Sequence, residues 1–391
     1  MAYAVNTAVS HVEAPPIAEA QKWVKPGPRN RDLLNLCQAV PSYPPADALQ
    51  DEVARAAHEP ETSLYTPIRG LPALREALAH HMAEDYKGTI SVEDVAITAG
   101  CNQAFATAVM AVAKAGDNIV VPLPYYFNHA MWLGMLGIEP RYISAFSAEG
   151  AWPSAEDAAA VIDGKTRAIL LCTPNNPTGA IYPPQVIAAF YELAQARGIA
   201  LIMDETYKDF RPDPAPPHNL FQRPDWRETF VQLYSFSKIF AMTGYRTGSI
   251  IAGPAFMAEA DKILDTMTIC PPHISQRAAL FGLGHLDTWK NGKKAMMLAR
   301  TEKLRAALKR PGLSFELVSS GAYFAYLRHP FRGEASKAVA MRLAAEHDLL
   351  CLPGSMFGPN QEDYLRLAFA NVDQSLMEAV AERLAESQPR S

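Results

Sequence analysis

A lysine flanked by hydroxyl groups and followed by an arginine is the most chemically distinctive feature of this sequence. The stretch from Tyr234 to Gly248 reads Tyr-Ser-Phe-Ser-Lys-Ile-Phe-Ala-Met-Thr-Gly-Tyr-Arg-Thr-Gly, and its lysine is Lys238. The apolar run Phe230 to Tyr234 before it has the character of the end of a buried strand. Burial lowers the pKa of a lysine because it disfavours the ammonium form, and the free amine can then attack an aldehyde.

The groups around Lys238 favour an aldehyde that also carries a phosphate. Ser235 and Ser237 offer hydroxyls, and Arg246, eight positions on, offers a guanidinium. Arginine binds phosphate oxygens through parallel N–H groups in a rigid fork. Pyridoxal 5'-phosphate contains both an aldehyde and a phosphate, so the working hypothesis is a Schiff base between this cofactor and Lys238.

Two other interpretations compete for the same residues. A lone lysine is most often a solvated surface residue, and Ser235 to Lys238 also matches the Ser-x-x-Lys element of penicillin-binding enzymes. That class needs a downstream Lys-Thr-Gly, which the sequence lacks, and a triplet of the Ser-Asp-Asn type. The nearest match to the triplet, Tyr126 to Asn128, lies upstream of the lysine, so the hydrolase interpretation is weak.

Composition restricts the class of protein. The 391 residues suffice for one large domain and a smaller one. With 36 basic and 41 acidic residues the net charge is −5, which favours neither nucleic acid nor an anionic membrane as a partner. The apolar fraction of 49% suits a soluble protein with a full core.

Cysteine and histidine usage indicates a cytoplasmic protein without a metal site. The five cysteines are scattered without metal spacing and suit reduced thiols, and the ten histidines do not cluster. No apolar run approaches the ~18 residues of a membrane span, and no signal-like apolar core opens the chain.

The elements that position Lys238 alternate between strands and helices from Val92 onward. Strands are predicted over Val95–Thr98, Asn118–Val121, Glu139–Ser144, Thr166–Cys172 and Ala200–Met203. Helices between them predict a mostly parallel sheet sandwiched by helices. Ligands of such sheets bind outside the C-terminal ends of the strands.

Three of the predicted strand ends carry chemically useful residues. Gly100, Cys101 and Asn102 form a glycine turn into a helix over Asn102 to Lys114, where backbone N–H groups face an anion. A loop rich in prolines and asparagines, Thr173 to Gly179, follows the strand that ends at Cys172, and Asp204 ends its neighbour. Neither a Gly-x-Gly-x-x-Gly nor a P-loop pattern is present.

The rest of the chain frames this sheet. Residues 1 to 30 are expected to be an irregular arm, because four prolines block long helices. Further elements are predicted as a strand over Leu33–Leu36, helices over Asp47–Ala57, Pro72–Tyr86, 286–309, Ala335–His347 and Gln374–Ser387, and strands over Ala322–Leu327 and Tyr364–Ala368. The C-terminal elements make a compact α+β unit.

Taken together, these residues resemble the class I and II aminotransferases of pyridoxal-phosphate fold type I, from about Leu33 to Leu384. In that family Asn-Pro-Thr-Gly, Asp-x-x-Tyr and Ser-x-x-Lys with an arginine eight residues on occur in this order, as they do here. The resemblance implies a three-layer α/β/α large domain around a mostly parallel sheet of the seven-stranded type. It divides the chain into an arm and part of the small domain (1–46), a large cofactor-binding domain (47–285) and a small C-terminal domain (286–391).

The resemblance also implies roles for individual residues. Lys238 would carry the cofactor and move a proton, Asp204 would pair with its ring nitrogen, and Tyr207 would hydrogen-bond its phenolic oxygen. The remaining contacts would come from Asn176 at the same oxygen, Tyr126 on the ring face, and Gly100, Cys101, Asn102, Ser235 and Arg246 at the phosphate. Arg366 would hold the substrate α-carboxylate in the two-pronged geometry that arginine favours.

The family also implies a homodimer with shared active sites, in which Tyr65 reaches the phosphate of the neighbouring subunit. Three positions depart from the family pattern. Ala39-Val40-Pro41 stands where Gly-x-Pro is usual near the substrate carboxylate, Cys101 where small or hydroxyl residues are common, and His129 where tyrosine is frequent. The added methyl of Ala39 bears on the backbone approach to the substrate.

The expected function is transfer of the amino group of an amino acid to a 2-oxo acid. A lyase on the same scaffold, acting on C–S or β-substituents or forming aminocyclopropane carboxylate, is the alternative, since proton abstraction by Lys238 begins both. A cofactor-binding regulator is disfavoured, because the first 30 residues are too few for a DNA-binding module. A neutral, apolar or aromatic donor is expected, since Val40 to Tyr43 and Ile17 to Trp23 supply apolar cover and neither Arg69 nor Arg277 belongs to a motif.

Overall fold

The computed structural model describes residues 3–25 and 31–388. The strands of this part of the chain are β1 Leu34–Asn35, β2 Val95–Thr98, β3 Asn118–Leu123, β4 Glu139–Ser144, β5 Thr166–Cys172, β6 Ala200–Asp204, β7 Phe230–Ser235, β8 Gly248–Ile251, β9 Glu316–Gly321, β10 Phe324–Arg328, β11 Leu349–Leu350, β12 Leu352–Pro353 and β13 Tyr364–Ala368. The helices are α1 Thr7–Ser10, α2 Pro16–Gln21, α3 Asp47–Ala57, α4 Pro72–Tyr86, α5 Cys101–Val112, α6 Phe127–Met135, α7 Ala155–Val161, α8 Pro184–Arg197, α9 Phe236–Ile239, α10 Pro254–Thr268, α11 His273–His285, α12 Asp287–Ala307, α13 Ser336–Glu346 and α14 Met377–Ser387.

A seven-stranded sheet in the order β2-β8-β7-β6-β5-β3-β4 forms the centre of the fold. All neighbours are parallel except β8, which runs antiparallel to both β2 and β7. The sequences of β5 to β7 are almost continuously apolar and buried, as expected of strands covered by helices on both faces. The predicted α/β class with a mostly parallel sheet is confirmed.

The C-terminal ends of three central strands meet at one edge of this sheet. Cys172 at the end of β5 lies in register with Asp204 at the end of β6, and Asp204 is paired in turn with Leu233 of β7. β7 ends at Ser235, and α9 follows at once with Lys238 in its single turn. The strand pairing therefore brings three predicted site segments together.

A second set of strands joins the two ends of the chain. The order β12-β13-β10-β9 makes an antiparallel sheet, and β1 pairs with β11 in parallel through Leu34 and Leu349. Because β1 precedes the large sheet and β11 follows it, the start of the chain packs on its C-terminal part. The boundaries at 46/47 and 285/286 remain predictions.

Several predicted elements need correction. The arm expected to be irregular contains α1, capped by the Asn6 side chain, and α2, which begins at Pro16. Proline at the first helical position costs no hydrogen bond, so Pro16 begins a helix where a break was expected. Pro26 and Pro28 lie outside the described residues. The helix after Gly100 runs from Cys101 to Val112, not from Asn102 to Lys114, and strands β8, β9, β11 and β12 were missed.

Among residues 3–25 and 31–388, no helix combines the length and the apolar character that a membrane crossing requires.

Candidate active site

A cavity of about 500 Å³ opens at the C-terminal ends of β5, β6 and β7. Twelve of the residues predicted for the site line it: Ala39, Val40, Cys101, Asn102, Tyr126, Asn176, Asp204, Tyr207, Ser235, Lys238, Arg246 and Arg366. The segments that supply them lie as far apart in sequence as residues 39 and 366, so the cavity exists only in the folded chain. Gly100 lies against Arg246, which lines the cavity, and Tyr65 lies elsewhere on the surface.

The Lys238 side chain is held inside the cavity by a backbone carbonyl. Its Nζ donates a hydrogen bond to the Ala39 carbonyl oxygen at 2.6 Å and lies 5.7 Å from the centre of the Tyr207 ring. Burial, followed by the positive charges of Arg246 and Arg366, lowers the pKa of Lys238 to about 8. The amine is therefore still mostly protonated at pH 7, but a far larger fraction of it is unprotonated than in an ordinary lysine, as a nucleophile or a base requires.

Asp204 is buried at the end of β6 and accepts several hydrogen bonds. Its Oδ1 accepts from the Thr206 backbone N–H at 3.0 Å, and its Oδ2 lies 3.1 Å from His129 Nε2. Burial alone would raise the pKa of the Asp204 carboxyl, but the bonds from His129 and Thr206 hold it below its ordinary value. Because an ionised carboxylate only accepts, His129 must donate from Nε2.

The turn after β2 leaves room for a guanidinium. Gly100 has φ +83°, and a Cβ at this position would lie 2.2 Å from an Arg246 terminal nitrogen. A Cβ on Gly248 would lie 2.7 Å from the Cys101 backbone nitrogen. Gly100 therefore leaves room for the guanidinium of Arg246, which is itself at φ +54°. Gly248 lets the start of β8 lie against the N-terminus of α5.

This arrangement has the chemistry of an anion site. The twelve-residue helix α5 presents free backbone N–H groups at Cys101 and Asn102, and both residues line the cavity together with Ser235 and Arg246. Arg246 donates one bond to the Thr243 carbonyl at 3.0 Å, which orients the guanidinium. A phosphate group matches this set of donors.

A second guanidinium, that of Arg366, lies buried in the wall of the same cavity. Arg366 is 1% exposed and donates to Asn176 Oδ1 at 3.1 Å and to the Cys37 carbonyl. Its Nε has no hydrogen-bond partner, and no carboxylate of the described residues forms an ion pair with it. A buried charge without a counter-ion is costly, so this cation fits a ligand that brings a carboxylate.

Two tyrosines line the cavity between these charged groups. Tyr207 is 4% exposed and packs against Tyr323 and Phe324, which leaves its ring orientation little freedom. The Tyr126 hydroxyl accepts a hydrogen bond from Asn128 Nδ2 at 2.8 Å. Both rings therefore have fixed positions from which to contact a flat ligand.

Tyr65 stands apart from the cavity of its own chain. It is 77% exposed and belongs to an exposed apolar patch with Leu64, Met267 and Ile269. The two loops of this patch are joined by a contact from the Thr66 backbone N–H to Cys270 Sγ at 3.4 Å. The structure thus places Tyr65 on the surface and outside the lining of the cavity.

Several residues of the site were not assigned a role from the sequence. His129 contacts Asp204, and Pro15, Pro16, Gln38 and Thr243 line the cavity. The position of His129, three residues after Tyr126 at the start of a helix, places both on one face and is a usable signal. Of the predicted apolar cover, Val40 and Ile17 line the cavity, while Tyr43 and Trp23 do not.

The two isolated arginines are structural. Arg69 forms a two-pronged ion pair with Asp261, both distances being 2.7 Å, and Arg277 bonds to Glu59 and Glu52. Neither lines the cavity. Each guanidinium is therefore neutralised within its own chain.

A carboxylate–histidine cluster lies outside the cavity. His81, Asp85 and Asp209 bring ligand atoms within 4.8 Å of one another. However, the Lys208 ammonium bonds to both Asp85 and Asp209 and so supplies the positive charge there. The cluster is an internal ion-pair network around a buried lysine.

Comparison with known proteins agrees with this architecture. A buried lysine of lowered pKa, an anion site at a helix N-terminus and a buried arginine lie together in one cavity at the edge of the sheet. The pattern of the family "Aminotransferase class I and II" matches residues 31–384. The chain belongs to the class I and II aminotransferase family, and it is an aminotransferase.

Among its relatives is an aspartate aminotransferase of Thermotoga maritima, 29% identical over 93% of both chains. An aromatic aminotransferase of Arabidopsis thaliana is also 29% identical, over 90% of this chain and 88% of that protein. A solved structure of Thermus thermophilus aspartate aminotransferase with maleate superposes with a TM-score of 0.88 at 23% identity, covering 99% of this chain and all of that one. The last comparison shows the shared fold.

Proposed function

We propose that this enzyme uses pyridoxal 5'-phosphate, carried by Lys238 as a Schiff base, to move the amino group of a neutral amino acid to a 2-oxo acid. The observation that carries the proposal is the single cavity shared by Lys238, Asp204 and Arg366. A nucleophilic amine, a buried carboxylate and a carboxylate-binding cation are the groups that such a transfer requires.

The residues of the cavity fit the cofactor at both ends. The glycine-lined anion site of Gly100, Cys101, Asn102, Ser235 and Arg246 suits its phosphate, and the recessed Asp204 suits its ring nitrogen. Tyr126, Asn176 and Tyr207 lie between these ends and would contact the ring and its phenolic oxygen. When bound, the cofactor supplies an aldehyde and an electron-withdrawing ring.

The protein's own residues divide the remaining work. Arg366 holds the substrate α-carboxylate through the N–H groups that face the cavity, with Asn176 fixing its plane. Ala39 and Val40 border the same end of the cavity. Lys238, with a pKa of about 8, takes a proton from the substrate α-carbon and returns one, which places it as general base and acid.

Charge distribution supports a neutral side chain on the amino donor. Among residues 3–25 and 31–388, the cationic side chains that line the cavity are Lys238, Arg246 and Arg366, and each already has a role at the amine, the phosphate or the α-carboxylate. The remaining walls include Pro16, Ile17 and Val40. An apolar wall discriminates by only about 1–3 kcal/mol per methylene, so several apolar or aromatic donors are expected to react.

A homodimer with shared sites belongs to the same proposal. The exposed patch of Leu64, Tyr65, Met267 and Ile269 supports a face buried by a second copy, because contiguous apolar side chains are costly in water. Tyr65 would then reach the phosphate end of the partner's site. The free cysteines of the described residues support a cytoplasmic location.

Product analysis with a panel of amino acids tests the reaction. With 2-oxoglutarate present, apolar and aromatic donors are expected to give glutamate and the matching 2-oxo acid in equal amounts. Ammonia and pyruvate from cysteine-type substrates, without glutamate, would instead establish the lyase. A strong preference for aspartate would contradict the neutral side-chain pocket.

Borohydride reduction followed by peptide mapping tests the attachment site. The cofactor is expected on the peptide that contains Lys238, and Lys238→Ala should lose both attachment and turnover. Lys294→Ala is the matched control, since burial also lowers the pKa of Lys294 although it lies outside the cavity. Labelling of any other lysine would refute the assignment.

A further inference from the structure

The Cys101 thiol points at the Asp204 carboxylate. Its Sγ lies 3.7 Å from Asp204 Oδ1, within hydrogen-bonding range for sulfur, and the residue lines the cavity. Burial, together with the charge of Asp204, raises the pKa of the Cys101 thiol. The sulfur therefore keeps its proton and acts as a weak donor to the carboxylate.

The acceptor positions of Asp204 are nearly all used by the protein. A carboxylate offers about four lone-pair positions. Thr206 N–H and Cys101 S–H share Oδ1, and His129 N–H bonds to Oδ2. A hydrogen bond from the Thr206 side chain also lowers the pKa of Asp204, so a donor that enters from the cavity has to share the carboxylate with these groups.

We infer that Cys101 is a positioning residue that shares the Asp204 carboxylate with the ring nitrogen of the bound cofactor and thereby sets how firmly that nitrogen holds its proton. The inference rests on the proposed function, because it assigns Asp204 to the ring nitrogen. Each donor to a carboxylate withdraws charge from its oxygens. A weak S–H donor orients Asp204 while leaving most of that charge for the cofactor.

The donor strength at position 101 can be changed in both directions. Cys101→Ala removes the donor, and Cys101→Ser replaces it with a hydroxyl, which bonds more strongly to a carboxylate. The ring nitrogen's pKa is therefore expected to rise in the alanine variant and fall in the serine variant, each by about half a pH unit.

Cys172 provides a matched control. It also lines the cavity and is buried beside Asp204, but its thiol donates to the Pro174 carbonyl at 3.7 Å. Cys172→Ala should therefore leave the ring nitrogen's pKa unchanged. The other titratable groups that face Asp204 are His129, Tyr126, Tyr207 and Lys238, and all are kept in these variants.

The experiment is a pH titration of holoenzyme loaded with pyridoxal phosphate labelled with ¹⁵N in the ring, followed by nitrogen NMR. Uptake on Lys238 is measured first by absorption and peptide mapping. A protein that fails to bind the cofactor there overturns the proposed function and this inference with it. If uptake is normal, the role of Cys101 is supported when the ring nitrogen's pKa is highest in Cys101→Ala, intermediate in the parent and lowest in Cys101→Ser. If the ring nitrogen has the same pKa in the parent, Cys101→Ala and Cys101→Ser, this inference is overturned while the proposed function stands. The same holds if Cys172→Ala shifts that pKa as much as Cys101→Ala does.

Discussion

His129 Nε2 and Asp204 Oδ2 lie 3.1 Å apart in a buried pair. Phe105 packs on the imidazole with ring centres 4.2 Å apart, which fixes its plane, so the histidine donates to the carboxylate from a defined direction. This bond is one reason why the pKa of the Asp204 carboxyl stays below its ordinary value despite burial. His129 thus helps to keep the Asp204 carboxylate ionised, and this carboxylate is the group proposed to hold the cofactor's ring nitrogen.

Replacing His129 with leucine should lower kcat about 10- to 100-fold, because a buried carboxylate loses a hydrogen bond worth about 1.5–3 kcal/mol. Asp204 should then protonate at higher pH. The Asp204 carboxyl is ionised above its folded pKa and becomes protonated as the pH falls through that pKa. Since the variant raises this pKa, the acidic limb of the kcat profile should shift to higher pH. His129→Asn, which keeps an N–H donor, should recover much of the rate. An unmoved acidic limb in both variants would remove His129 from this role.

The amine of Lys238 should react with pyridoxal phosphate at lower pH than an ordinary lysine. Its pKa of about 8 means that the unprotonated fraction rises through pH 8, whereas exposed lysines need about pH 10.4. The rate of cofactor capture by cofactor-free protein, measured by stopped-flow absorption, should show this midpoint. Arg366→Gln should raise the midpoint, since it removes one of the charges that lower this pKa. A midpoint near 10 would contradict the burial argument.

Arg366→Gln should raise the KM for amino acid donors by about 30-fold or more, because loss of a buried charged partner costs about 2–5 kcal/mol. Arg366→Lys should not restore affinity, since an ammonium cannot form the two parallel bonds of a guanidinium. Cofactor affinity, measured by equilibrium dialysis, is the internal control and should change little. Equal KM values in parent and variant would place the substrate carboxylate elsewhere.

Hybrid dimers test the proposed reach of Tyr65. If each site uses Lys238 of one chain and Tyr65 of the other, mixing Lys238→Ala and Tyr65→Phe chains gives one intact site per hybrid. Activity after unfolding and refolding the mixture should then exceed the sum of the two separate homodimers. The activity of a mixture of Lys238→Ala with the native chain, refolded in the same way, gives the upper limit for this comparison. An active species that sediments as a monomer would contradict the shared site.

Much of the fold follows from local pattern. The run Thr166–Cys172 and the helix Pro72–Tyr86 were predicted with the observed ends, because apolar runs and flanking breakers mark them. β8 was missed, since Gly248–Ile251 is short and begins on a glycine that reads as a turn. Its antiparallel pairing depends on β2, far away in sequence.

The groups placed by strand ends were also predictable, whereas contacts across the fold were not. Asp204 and Lys238 follow apolar strands directly, so sequence order locates them at one edge of the sheet. The Ala39 carbonyl at Lys238 and the Cys101 thiol at Asp204 depend on how distant segments pack. The carbonyl contact also shows that alanine at position 39 still lets the backbone approach the lysine.

The order of the elements along the chain has a consequence for synthesis. All seven strands of the large sheet lie between Val95 and Ile251, so the anion site and Lys238 are complete in a nascent chain that still lacks Arg366. Strand β1 can pair with β11 only after β11 has been made, and this pairing closes a loop of more than 300 residues. Since domains fold as units during translation, we expect the growing polypeptide to form the part that holds Lys238 and the anion site first, and the part that holds Arg366 last.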